Sequence, residues 1–210
     1  MTPIKCGEQQ MTEQQIFVSA DRALNGVVAQ IRDDQWTMVM PPSFSVRQLD
    51  HPPTLREIVN YHAYDDAWVP DMLAGRTMDQ AGKATFDGDL LGADPKGSFA
   101  AIVHAACVAA EALTDPERTV HCSFGDYPIR EYFWQINSFR GLRTHDIARV
   151  IGVPAALPDA LIQGLWDEIA PHAEEWRALG VFPAAIPVPA SASLLDRLLG
   201  LTGRDPKVAA

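Results

Sequence analysis

The chain is short of cysteine, of long apolar runs and of positive charge, and each shortage excludes a class of protein. The three cysteines, Cys6, Cys107 and Cys122, are odd in number and lack metal-type spacing. That argues against a disulfide framework and against a cysteine-based zinc site, and makes a reducing cytoplasm the simplest home. Cys107, inside the apolar run from Ala105 to Ala110, is expected to fill core space. No apolar run approaches the roughly 18 residues of a membrane span, and no basic segment leads into an apolar one at the start, so neither a membrane partner nor a secretory signal is expected. Seventeen Lys and Arg stand against 27 Asp and Glu, a formal net charge of −10. Nucleic acid is therefore not a default partner, because neutralising phosphates needs a basic face. Glycine-rich phosphate loops, a nucleophile elbow and His-Glu zinc motifs are all missing.

What the sequence does have is helical periodicity. At 210 residues and 47% hydrophobic, the chain suits a single domain with a sizeable core. That domain is placed over 12–206, with 1–11 as a loose lead-in and Met11 as an alternative start. A first helix is expected over 12–33. A loop with paired prolines follows, anchored by Trp36 and Phe44. Thr54-Leu55-Arg56-Glu57 reads as a capping box opening a second helix that runs to Ala74, with a kink at Pro70. Residues 76–92 read as a long surface loop. Asp94-Pro95 marks the start of a third helix, over 96–114. A short extended piece is expected over 120–124. Pro128 then opens a fourth helix, ending at Gly152. A fifth covers 159–179, interrupted at Pro171, and a last short one covers 194–201. Residues 181–189 are apolar and extended, and should lie along the body. Strand signals are scarce, so the class is all-α, an up-down bundle with an extra C-terminal helix and an extended tail.

Polar residues on otherwise apolar helix faces are the candidates for chemistry. On the second helix Leu55, Ile58, Val59, His62, Asp66, Val69 and Leu73 share a face, and Tyr61, Asp65, Trp68 and Met72 share the adjoining stripe. On the fourth, Ile129, Tyr132, Ile136, Phe139, Arg143, Ile147 and Val150 recur at steps of three and four. Arg143 interrupts that stripe. A guanidinium does not give up its charge and is costly to bury alone, so it needs either an acidic partner or an anionic ligand. His145 and Asp146 stand beside it. Asp146 and Arg149 are spaced for a surface ion pair. His51, His104, His121 and His172 show no ligand spacing, and His172 is expected in solvent.

Three blocks of residues carry a resemblance. Thr54 through Tyr61, continuing to Trp68-Val69-Pro70 and Leu73-Ala74-Gly75, is similar to the second helix of DinB-like proteins, in particular the actinobacterial branch related to mycothiol-dependent maleylpyruvate isomerase. Glu131-Tyr132 through Asp146-Ile147-Ala148-Arg149-Val150-Ile151-Gly152 resembles the later motif of that branch. Leu198 through Pro206 resembles its C-terminus. The resemblance implies a four-helix bundle that binds zinc or nickel through three side chains and uses mycothiol. Its helix-two histidine falls on Tyr61, its carboxylate on Phe139 and its last histidine on Arg143. A tryptophan and an aspartate of the later run fall on His145 and Asp146. Phenylalanine has no donor atom and arginine does not bind cations. His62 lies about 100° around the helix from Tyr61, and His145 points away from Arg143, so neither rebuilds the site.

The resulting expectation is a degenerate metal site with no metal or cofactor. Phe139 would fill volume, and Arg143 would pair with Asp65 or Asp66 or receive a small anionic ligand. Tyr61, His62, Asp65, Phe139, Arg143, His145 and Asp146 are the candidate ligand-binding residues, in a binding protein or a metal-independent enzyme. Two other readings stand beside it. One is a metal-dependent isomerase or S-transferase using a mycothiol-type thiol. The other is a non-catalytic protein that dimerises through a helix face.

Overall fold

The structure, a computed structural model, describes residues 10–44, 50–123 and 125–207. It is mainly helical. Helix α1, Glu13–Val28, opens on a capping box between Thr12 and Gln15 and ends earlier than its apolar stripe suggested, giving way to a short 3-10 turn at Asp33–Gln35. Trp36 and Phe44 are both buried in the core and anchor the loop that follows. Helix α2, Leu55–Leu73, starts where the threonine signal put it. The Thr54 hydroxyl accepts the Glu57 N–H, and the Thr54 N–H donates to the Glu57 carboxylate at 2.7 Å. Pro70 lies inside α2 without ending it.

The stretch 76–92 is not the free surface loop its glycines and acids implied. It contains a one-turn helix, α3, Met78–Ala81, and Leu91 is fully buried. Asn60 pins it to α2 by donating to the Gly88 carbonyl and accepting the Leu90 N–H. Arg56 adds an ion pair to Asp89. Apolar Phe86, Leu90 and Leu91 pack on the core, and those three residues outweigh the polar composition around them.

Asp94 caps helix α4, Pro95–Glu111, with proline in its first turn. Cys107 is buried in α4 as expected. The expected extended piece is a hairpin, β1 Thr119–Cys122 and β2 Gly125–Pro128, in antiparallel register from Thr119↔Pro128 to Cys122↔Gly125. Phe124, like Cys6 and most of the expected lead-in, lies outside the described residues. Helix α5, Ile129–Ile151, ends on Gly152 in the left-handed conformation. The fifth expected helix divides at Pro171 into α6, Asp159–Ile169, and α7, Ala173–Ala178, with a 3-10 turn between them. Helix α8, Leu194–Leu201, follows. The apolar segment from Val181 lies along α8: the Ile186 N–H donates to the Gly200 carbonyl at 2.9 Å. A Cβ on Gly200 would stand 2.7 Å from the Ile186 carbonyl oxygen, so this approach needs glycine.

The four long helices share one core. Helix α1 packs on α4 and α5, and α2 packs on α4. The backbones of α2 and α5 seldom come within 8 Å of each other, and that side of the core is open. A second apolar cluster joins α1, α5, α6 and α8. Among the described residues no helix is long and apolar enough to cross a membrane.

One buried acid ties α6 to the rest. Asn137, fully buried on α5, donates through Nδ2 to the Glu13 carbonyl at 2.9 Å and to Glu168 Oε1 at 3.0 Å. The other oxygens of this pair, Asn137 Oδ1 and Glu168 Oε2, are buried without a partner among the described residues. A proton on Glu168 serves both, because carboxylic acid and carboxamide then close a cyclic pair with one N–H and one O–H donor. Burial pushes the Glu168 carboxyl up to about 8, against the opposing Asn137 hydrogen bond. A raised carboxyl penalises the folded state once the unfolded chain ionises. Stability should therefore fall as pH rises from about 4.5, the ordinary value, to about 8. Glu168→Gln, which keeps the cyclic pair without an ionisable proton, should raise the urea midpoint at pH 8 and flatten its pH dependence. A variant no more stable than the parent at pH 8 would show that Glu168 folds as a carboxylate.

Candidate functional site

The open side between α2 and α5 is a cleft with a cavity of about 620 Å³. Its α2 wall is the stripe Tyr61, Asp65, Trp68 and Met72, with Ile58 and His62 beside it. Its α5 wall is Tyr132, Ile136, Phe139 and Arg143. Met78 and Cys122 close one end, and the turn Leu179–Val181 borders the other. From Ile58 to Met72 the α2 wall runs about 21 Å, at 1.5 Å per residue.

The buried cation is Arg140, at 1% exposure, not the expected Arg143. Arg140 Nε and Nη2 both donate to Asp66 Oδ1, the former at 2.9 Å. Arg140 Nε also lies 2.6 Å from Asp21 Oδ1. Its N–H is directed at Asp66, so among the described residues both Asp21 oxygens stay without a hydrogen bond. The Phe17 ring sits 5.0 Å from the guanidinium carbon. Asp21 on α1, Asp66 on α2 and Arg140 on α5 thus join three helices in the dry core. Asp66 has the pairing that was expected of Arg143; the donor is one turn away. The buried stripe of α5 runs Ile129, Phe133, Asn137, Arg140, Thr144, Ile147, Ala148 and Ile151. The more apolar Ile136–Phe139–Arg143 stripe faces the cleft. Polar Asn137, Arg140 and Thr144 disguised the true inner face. The signal that could have found the triad was Asp21, a lone acid among Phe17, Leu24 and Val28 in helical register.

Burial first, and then Asp66, push the Asp21 carboxyl well above the usual carboxylate range, against the pull of Arg140. Burial also raises Asp66, again against Arg140. Asp65, on the cleft side, is pushed up to about 6 by burial, which Arg140 opposes and Asp66 reinforces. Burial disfavours the charge on Arg140, but Asp66, Asp21 and Asp65 together hold it more firmly protonated than a free arginine. Three carboxyl groups thus share one guanidinium, which is engaged by Asp66 and Asp21 and leaves Asp65 without a direct partner among the described residues.

The other predicted residues separate into two groups. Tyr61, His62, Asp65, Phe139 and Arg143 meet at the cleft. Phe139 fills no core volume; it is 51% exposed at the mouth. Arg143 is largely buried and lies over the Phe44 ring at 4.3 Å. Among the described residues its only ion pair is a long one to Asp146 at 3.9 Å, and Nη1 is buried without a hydrogen-bond partner. Burial weakens its hold on its proton, and Arg204 adds to this while Asp146 opposes it. Asp146 does not pair with Arg149 as its spacing suggested. Arg204 from the C-terminal segment takes both its oxygens, each at 2.8 Å, and Arg149 instead donates to the Asp205 carbonyl. His145 does not reach the cleft and is lowered by burial, with Nε2 unpartnered. His172 is exposed, edge-on to Trp134.

His62 is buried in the cleft wall with its ring edge-on to Tyr61, and among the described residues it has no hydrogen-bond partner. Burial, then Arg143 and Arg140, hold its pKa well below the ordinary histidine value, so it is neutral at pH 7 and able to accept a hydrogen bond. Asp65 is likewise without a hydrogen bond among the described residues. Tyr61 is raised by Asp65 and by burial. The Cys122 thiol is pushed up to about 11 by burial and is no thiolate near neutrality. A second cavity of about 720 Å³ borders the first and shares Phe139, Arg143, Gly180 and Val181 with it. Among the described residues no group of three or more His, Cys, Asp or Glu is arranged to hold a metal ion.

The two arginines should behave oppositely. Arg140→Ala leaves two dry carboxylates uncompensated and should cost about 3–5 kcal/mol, read as a lowered urea midpoint. Arg143→Ala should change it by less than about 1 kcal/mol. Equal losses would contradict this assignment of roles. No family model matches the chain, and no curated protein or solved structure matches it either.

Proposed function

We propose that the protein binds a small anionic molecule in the cleft between α2 and α5, with Arg143 as the receiving group. The observation that carries this is the state of Arg143. Among the described residues its nearest carboxylate, Asp146, is engaged by Arg204, and its Nη1 is buried with no partner at the edge common to two cavities. A planar guanidinium with a free donor fits a carboxylate or phosphate through two parallel N–H bonds. The rest of the cleft suits a ligand with an apolar body, since Ile58, Trp68, Met72, Met78 and Tyr132 line it, and small-molecule sites combine such walls with a few polar groups.

His62 supplies the chemical potential of the site. As a neutral imidazole beside Tyr61 it can accept a hydrogen bond from the ligand, while Arg143 holds the ligand's negative charge. The same reading takes the chain as a DinB-like four-helix up-down bundle whose metal positions have become Tyr61, Phe139 and Arg143. Four long helices around one core, and a cleft at the α2 stripe that carries Tyr61, support it.

Isothermal titration with 3-phenylpropanoate and phenyl phosphate tests the reading. One or both should bind at the cleft, and Arg143→Gln, folded by circular dichroism, should weaken binding at least tenfold, as losing a charge-assisted hydrogen bond of about 1.5–3 kcal/mol requires. Unchanged affinity in Arg143→Gln, or no binding of either compound to the parent, would overturn it.

A further inference from the structure

The cleft has two electrical ends. At one, Arg143 has no close free anion among the described residues. At the other, Asp65 faces the cavity in front of the Asp21–Arg140–Asp66 cluster, whose single guanidinium is already engaged by Asp66 and Asp21. Among the described residues Asp65 makes no hydrogen bond, and it is half-buried where it borders the cavity. A carboxylate facing a cleft with no protein donor is open to a ligand that supplies one. A lone anion satisfies Arg143 and leaves Asp65 bare. A lone cation does the reverse. Beyond Asp65 the walls become aromatic and apolar, with Tyr64, Trp68, Tyr132, Met72 and Met78, and aromatic faces also favour a cation.

We infer that the ligand is a zwitterion, an amino carboxylate with an apolar or aromatic body, its carboxylate on Arg143 and its ammonium on Asp65. The inference rests on the proposed role of Arg143 and adds the second pole. Tyr61 lies one turn of α2 before Asp65, a rise of about 6 Å. It sits in the field of both Asp65 and Arg143, and so marks the span between the two ends. His62 shares that level and, being neutral, repels neither pole. The apolar rim of Phe139, Leu179 and Val181, all exposed, borders the Arg143 end and suits the passage of an apolar body into the cleft.

The test compares four probes by titration at pH 7.5, where Asp65 is ionised: L-phenylalanine and 4-(aminomethyl)benzoate, which carry both charges at short and long spacing, 3-phenylpropanoate, which lacks the amine, and phenethylamine, which lacks the carboxylate. At least one zwitterion should bind about tenfold or more tighter than 3-phenylpropanoate, the fold-change of one charge-assisted contact. Asp65→Asn should erase that advantage while leaving 3-phenylpropanoate binding within about twofold. Arg143→Gln should weaken every carboxylate. If 3-phenylpropanoate binds as well as both zwitterions and depends on Arg143, the amine site is wrong and the anion site stands. If no probe binds, both fall. If the zwitterion advantage survives in Asp65→Asn, Asp65 is not its partner and the inference is overturned.

Discussion

Arg140 is the residue on which this structure turns. It lies in the core where α1, α2 and α5 meet, with its carboxylate partners Asp21 and Asp66 both fully buried. Apolar packing alone would let these helices slide or rotate with little loss, since apolar contacts are not directional. A planar guanidinium fixed between two carboxylates allows one rotation of α5 relative to α1 and α2. That rotation places the Ile136–Phe139–Arg143 stripe on the cleft. Buried ion pairs are weak grounds for stability; the contribution argued for this one is registry.

The same cluster explains why the cleft is polarised. Burial raises the carboxyls of Asp21, Asp66 and Asp65 against the pull of the one guanidinium they share. Asp65 is the one of the three that borders open space. The device that orients the helices therefore also leaves negative charge on the cleft wall, about one helical turn from the level of His62 and Tyr61. Structure and site are coupled through Asp66, which is adjacent to Asp65 in sequence and bonded to Arg140 in space.

The α2 half of the site could be read from sequence and the α5 half could not, for one physical reason. On α2 the inner face is mostly apolar, so periodicity picks it out, and Leu55, Ile58, Val59, His62, Asp66, Val69 and Leu73 are all buried as expected; the adjoining stripe lines the cleft. On α5 the inner face carries Asn137, Arg140 and Thr144, and the cleft face carries Ile136 and Phe139, so a hydrophobic count ranks the faces in the wrong order. Arg140 and Arg143 look alike in sequence; only partners on other helices distinguish them. Helix starts were legible because caps are local chemistry, as Thr54 and Asp94 show. The packing of 86–91 was not, because it depends on long-range contacts through Asn60 and Arg56. The Asp146–Arg204 pairing escaped for the same reason: its partners are 58 residues apart.

The overall charge bears on what such a cleft can hold. At a formal −10 the protein's field opposes the approach of a simple anion, and long-range steering works against Arg143 rather than for it. Binding by Arg143 must then come from short-range contact in a site partly closed to water, where charge-assisted bonds are strong. A ligand that also carries an ammonium has no net charge to repel, and it brings a cation to the one wall that lacks one. The buried imbalance around Arg140 and the acidic surface therefore favour the same kind of molecule, although the first acts over a few ångströms and the second over roughly a Debye length of 8–10 Å.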